Sequence, residues 1–142
     1  MLGAVPSNLF AYIDTSRFTE LVVDGNSEVP TPDELDANVN AIRTVNYAQG
    51  LICEAARKGQ QYSLQQLKDL VYAAQNDNPQ GEQIMGLISD LTWCRLTRRK
   101  RFAPGAPQGE YPECKDAQEY LDRLQRGERI FVLEGIPQRN AE

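Results

Sequence analysis

Residues 78–101 read NPQGEQIMGLISDLTWCRLTRRKR, and this stretch decides the fold. Asn78 can cap a helix, and Pro79 suits the first helical position, where an N–H would be unpaired anyway. Ile84, Leu87, Ile88, Leu91 and Cys94 then recur at steps of three and four residues, the spacing of one helix face. Met85 and Trp93 fall outside that stripe, so the helix is expected to be covered on more than one side and to run through the middle of the protein. At 3.6 residues per turn it has about six turns. Its end is basic: Arg95, Arg98, Arg99, Lys100 and Arg101. Cations complement the unpaired carbonyls of a helix end by about 0.3–1 kcal/mol each. The cluster therefore needs no partner to explain it, with a charged protein interface as its second use and DNA as its third.

Outward from this helix, the neighbouring segments also read as helical. Ser63 followed by Gln66 has capping-box spacing and opens a helix with Leu64, Leu67, Leu70 and Val71 inward, ending near Gln75. Upstream, Thr31, Pro32 and Glu34 form another capping box, predicting a helix from there to about Lys58, stopped by Gly59. Leu35, Val39, Ile42, Val45, Ile52, Cys53 and Ala56 mark its inner face, while Asn46 and Tyr47 threaten its regularity. A short first helix is expected after a cap at Ser7 or Asn8, with Leu9, Phe10, Tyr12 and Ile13 on its apolar side. Phe18, Leu21 and Val22 continue at helical spacing before a turn at residues 24–27. Downstream, residues 103–112, APGAPQGEYP, form a loop, and Pro112 starts a last helix. Ala117, Tyr120, Leu121 and Leu124 line its inner face, and Gly127 is placed to end it.

Arg129, Ile130, Phe131, Val132 and Leu133 make the one strand-like run. A lone strand cannot satisfy its own backbone N–H and C=O groups. With no second strand in sight, these five residues are expected to contact a partner chain, the alternative being a terminal strand docked on its own subunit. The fold class is accordingly all-α: a bundle of four to five helices over residues 1–128, with an extended or strand-like C-terminal arm over 129–142.

The chain has 142 residues, enough for one domain that buries roughly two-thirds of its unfolded surface. A net charge of −5 argues against a general polyanion binder. The distribution is more informative than the sum. Between Met1 and Ala56 the acids Asp14, Glu20, Asp24, Glu28, Asp33, Glu34, Asp36 and Glu54 face only Arg17 and Arg43, whereas basic residues gather at 95–101 and 123–129. Such polarity suits an oligomer whose acidic surface meets a basic one. There is no histidine, which removes the usual general base and the commonest metal ligand. Cys53, Cys94 and Cys114 lie far apart with no CxxC pair, so reduced, buried thiols and no metal site are expected. The acidic run at 24–36 lacks the alternation of an EF-hand loop. No apolar run approaches the ~20 residues that span a bilayer, and the start lacks a secretory pattern, so synthesis in the cytosol is expected. Neither a catalytic site nor a cofactor is expected. Trp93 reads as core rather than as a base-stacking platform.

Two motifs in the second half carry a resemblance. In the first element stand Asp90, Leu91, Trp93, Leu96 and Arg99; in the second, Ala117, Leu121, Leu124 and Gly127, followed by the basic, strand-like end. This order resembles bacteriophage head–tail adaptor (connector) proteins, in particular the Mu-like prophage connector group. The N-terminal part is loosely similar, with Arg17-Phe18 and Glu20-Leu21 on a short amphipathic helix, an acidic loop and a long helix; residues 59–78, with their additional helix, depart from the pattern. The resemblance implies a structural virion protein rather than an enzyme, assembled in the host cytoplasm and resident in the virion neck. It implies a homo-oligomeric, usually dodecameric ring beneath the portal protein, with a downstream neck, stopper or tail-terminator protein on its other side. Genomic DNA would pass through the channel without sequence-specific binding, and no membrane is involved. The competing class is a small helical DNA-binding or regulatory module that uses the basic end of the central helix.

Overall fold

The computed structural model describes residues 2–12, 34, 36–99 and 112–133. Among these the regular structure is helical: α1 (Val39–Gly59), α2 (Leu64–Gln75), α3 (Glu82–Arg99) and α4 (Pro112–Gln125), with 3-10 turns at Pro6–Ala11 and Pro79–Gly81. α1 packs on both α3 and α4, α3 and α4 pack on each other, and α2 lies on α3 and on the turn that leads into it.

α3 is the central helix. Asn78 caps the 3-10 turn by accepting from the Gln80 N–H at 3.0 Å, and Pro79 opens it. Ile84, Leu87, Ile88, Leu91, Cys94 and Leu96 are buried, and so are Met85, Ser89 and Thr92 on the other faces. The two hydroxyls are accommodated by donating back to carbonyls one turn earlier, Ser89 to Met85 at 2.8 Å and Thr92 to Ile88 at 2.7 Å. Trp93 is half-buried against the core. Each fully buried Leu or Ile contributes about 1.5–3 kcal/mol, so the stability of the bundle is concentrated around this helix.

The capping box at Ser63 forms as its spacing predicts. The Ser63 hydroxyl accepts from the Gln66 N–H at 3.1 Å, and the Gln66 side chain accepts from the Ser63 N–H at 2.9 Å. Leu67, Leu70 and Val71 face inward, but Leu64 is exposed, because at the first position the inward stripe has not yet begun. α2 ends at Gln75 with Asp77 in the left-handed region at φ 61°, and the Asn78 N–H returns to the Ala73 carbonyl at 2.9 Å. α4 ends in the same way. The Gly127 N–H reaches the Leu124 carbonyl at 3.1 Å and the Glu128 N–H reaches that of Arg123 at 3.0 Å, a Schellman pair closed by Gly127 at φ 88°. Ala117, Leu121 and Leu124 are buried, whereas Tyr120 is exposed beneath the Arg123 guanidinium.

Four expectations are corrected. First, α1 is not continuous from Thr31. Asn38 adopts an extended conformation and caps a fresh helix by accepting from the Ala41 N–H at 3.0 Å, so Val39 is exposed at the helix start. The proposed cap at Thr31 and inner-face Leu35 lie outside the described residues. The interruption leaves Asp36 free to bind the first 3-10 turn, taking the Ser7 N–H and hydroxyl on its two oxygens at 2.7 Å each. Second, that turn is opened at Val5 rather than at Ser7 or Asn8. Asn8 reaches back to accept from the Val5 N–H at 2.9 Å, and Leu9 is fully buried while Tyr12 is exposed. Third, Gly59 does not stop α1. Gln60 takes the left-handed cap position at φ 59°.

Gly59 is needed for a different reason. A Cβ there would run into the carbonyl oxygen of Leu124 and crowd the Gly127 N–H, so only a glycine lets the end of α1 touch the end of α4. Replacing Gly59 with Ala should therefore destabilise the protein by about 2 kcal/mol, despite alanine's better helix propensity, as overpacked sites do. Urea unfolding measures it, and a stabilised variant would contradict this contact.

Fourth, two of the three cysteines are not reduced thiols. Cys94 of α3 and Cys114 of α4 form a disulfide with Cα atoms 5.5 Å apart. Sequence spacing is silent about this pair because its geometry arises only when the end of α3 lies beside the start of α4. Cys53 is free and half-buried, and burial pushes its thiol pKa up.

Candidate partner-binding surface

The five tail residues do not form a strand, and the structure seats them on their own subunit. Phe131 is 6% exposed, with its ring 5.5 Å from that of Tyr62 in the α1–α2 loop. The Tyr62 hydroxyl accepts from the Phe131 N–H at 2.8 Å and donates to the Phe131 carbonyl at 2.6 Å. One phenol thus satisfies both backbone groups of Phe131, which removes the argument that they must be paired by another chain. Arg129 donates to the Gln61 side chain at 3.1 Å, and Ile130 and Leu133 pack partly buried against the core. Phe131, with Ile130 and Leu133 beside it, thus belongs to the core of the helical body, and residues 134–142 of the expected arm lie outside the described residues. Val132 is the exposed apolar residue of the five, at 55%, and Arg129 is exposed as well.

The basic cluster divides. Arg95 is exposed and its guanidinium lies 4.5 Å from the ring centroid of Tyr47 on α1. Arg98 and Arg99 close α3, while Lys100 and Arg101 lie outside the described residues. Tyr47 and Gly59 are twelve residues apart on α1, about 18 Å, so Arg95 and the tail seat at Tyr62 do not form one site.

Between them along α1 runs an open groove, absent from any reading of the sequence. α1 supplies Tyr47, Leu51, Glu54 and Lys58; α3 supplies Leu91 and Arg95. α4 closes the far side with Gln118, Leu121 and Gln125, and the Cys94–Cys114 bridge lies between α3 and α4. The cavity volume is about 260 Å³, slightly below the usual range for a small-molecule site, roughly 300–1,000 Å³. Within it, Glu54 is held by Arg57 at 2.7 Å, and that hydrogen bond, with the charge of Arg57 and a smaller contribution from Lys58, keeps its carboxyl pKa below the usual range. Lys58 approaches Glu54 only to 4.0 Å. Arg95 makes no ion pair with another described residue, so the groove carries a cation at each end, with Leu51, Ala55, Leu91 and Leu121 between them and the polar side chains of Glu54, Gln118 and Gln125 along its rim. Its residues come from three helices, and no local spacing could have singled them out.

Among the described residues no three cysteine or carboxylate side chains converge as a metal site would need, and no helix is long and apolar enough to cross a membrane. No family model matches the chain, and no curated protein or solved structure matches it significantly.

Proposed function

We propose that the chain is a structural virion protein, a head–tail adaptor that docks as a ring, dodecameric in the group it resembles, under the portal and joins the head to the next neck or tail protein. The observation that supports this reading is the placement of the motif residues. Leu91, Trp93 and Leu96 on α3 and Ala117, Leu121 and Leu124 on α4 fall on one helix pair joined by the disulfide, and Gly127 turns the chain directly onto the tail seat. They act as one packed unit rather than as scattered apolar positions. A disulfide also suits a part that ends in an extracellular particle.

Because Phe131 belongs to the core, truncation before Arg129 would damage the fold as well as any attachment. The cleaner probes are Val132→Asp, and Arg98→Glu with Arg99→Glu, in particles assembled with the full chain. Heads should accumulate without tails when the chain is missing, and electron microscopy should place it as a ring at the portal vertex. Normal tailed, infectious particles in its absence would overturn the reading. Variants that keep the chain folded but lose portal attachment would identify which of the two surfaces faces the portal.

A further inference from the structure

The groove between α1, α3 and α4 has the chemistry of a docking site rather than of a solvated furrow. The Arg95 guanidinium lies over the Tyr47 ring, 4.5 Å from its centroid, and its N–H groups suit a forked contact with a carboxylate. Lys58 stands at the other end, bound only loosely by Glu54, whose stronger partner is Arg57. Tyr47 and Lys58 are eleven residues apart on one helix, so the ring that carries Arg95 and the base of the Lys58 side chain lie about 16 Å apart along α1. Between them the apolar part of the lining is Leu51, Ala55, Leu91 and Leu121, and the one carboxylate, Glu54, is neutralised by Arg57. Two separated cations over an apolar floor fit an extended peptide with two carboxylates and apolar side chains between. A nucleic-acid backbone is a poorer fit, since it offers nothing for the floor and the chain is acidic overall.

The chain carries such a peptide itself. Residues 18–24, FTELVVD, place Leu21, Val22 and Val23 between Glu20 and Asp24. The spacing of Phe18, Leu21 and Val22 suits a helix face, but seated in the groove the stretch would be extended, with the two carboxylates about 13–14 Å apart at ~3.4 Å per residue, comparable to the length of the groove along α1. We propose that the groove receives this acidic stretch from a second copy of the chain. The contact is heterologous: one face of a copy takes a different part of the next, the type that closes rings. The inference rests on the adaptor reading for the reason copies should meet in this way, while the groove chemistry stands apart from it.

The test uses the full-length chain and a fluorescein-labelled peptide of residues 17–26. Fluorescence polarisation should show saturable binding, weakened at least tenfold by Arg95→Glu and by Lys58→Glu. Both side chains are exposed, so circular dichroism should show the two variants as helical as the parent. A peptide with Glu20 and Asp24 changed to Lys should bind the Arg95→Glu/Lys58→Glu double variant better than it binds the parent. Sedimentation of the parent should show association that the double variant loses. Absence of peptide binding, or binding unaffected by either substitution, overturns the proposal. So does selective capture of duplex DNA that the same substitutions abolish, which would make the groove a phosphate site. Rings that still form at the portal in the double variant would overturn the groove contact and leave the adaptor reading intact.

Discussion

Reduction of the Cys94–Cys114 bond is expected to lower the stability of this protein by about 3 kcal/mol. The bridge closes a loop with a sequence separation of 20, and loop-closure entropy gives about that figure for a loop of this length. The closed segment includes residues 103–112, rich in Pro and Gly, so without the bridge the unfolded chain regains much freedom. The measurement is urea unfolding of the parent with and without dithiothreitol, beside the Cys94→Ala/Cys114→Ala variant. The reduced parent and the variant should share one midpoint, well below that of the oxidised protein. Cys53 does not confound the comparison, because it has no disulfide partner in either state. A parent whose unfolding ignores the reductant would show that the two sulfurs are not bonded. The apolar contacts of Leu91, Ala117, Leu121 and Leu124 should keep α3 and α4 together in the reduced protein, so the loss is expected in stability rather than in helical content.

The second large effect is expected from Tyr62→Phe, also about 3 kcal/mol. The change deletes a single oxygen, but that oxygen serves both the N–H and the C=O of buried Phe131. Each orphaned buried group costs about 1–3 kcal/mol. The total is capped, because the tail can leave its seat and expose Phe131 instead, at about 1.5–3 kcal/mol for a large apolar side chain. Two measurements separate this from a generic core defect. The stability loss should appear in urea unfolding, and the Phe131 amide should lose most of its hydrogen-exchange protection while amides of α3 keep theirs. Val132→Asp is the internal control: that side chain is exposed, so its stability should stay within about 0.5 kcal/mol of the parent. Equal stability of Tyr62→Phe and the parent would mean that the phenol does not hold the tail.

The tail also shows where reading the sequence reached its end. Ile130, Phe131, Val132 and Leu133 look like a strand because three of the four are β-branched or aromatic. A strand is defined by its ladder, however, and here the backbone partner is a side chain 69 residues away. A single buried hydroxyl replaced the missing strand, and no periodicity foretells that. The apolar stripe of α3 was legible for the opposite reason. Its apolar positions recur at helical spacing, a local quantity, so Ile84, Leu87, Ile88, Leu91 and Cys94 go inward whatever the neighbours are, while the burial of Ser89 and Thr92 on the other faces depended on the packing.

The helix ends divide along the same line. Ser63 with Gln66, Asn78 with Pro79, and Gly127 at the end of α4 were readable, because each cap is completed within five residues. Asn38, by contrast, starts α1, although the capping-box spacing at Thr31, which lies outside the described residues, is the stronger local signal. The break falls beside a tertiary contact, the Ser7 N–H and hydroxyl donating to Asp36 two residues before Asn38, that no local spacing reports. Gly59 was read as a stop signal and is instead a point of close approach, fixed by the Leu124 carbonyl on another helix.

The sequence by itself determined the helical class, the central position of residues 82–99, the second and fourth helices and their caps, since hydrophobic period and hydrogen bonds over three or four residues are local quantities. Tertiary structure alone decided the cysteine pairing, the seat of the tail on Tyr62, the break at Asn38 and the cation-ended groove. Each of these joins residues that are distant in the chain, and only packing three helices around one sets those distances.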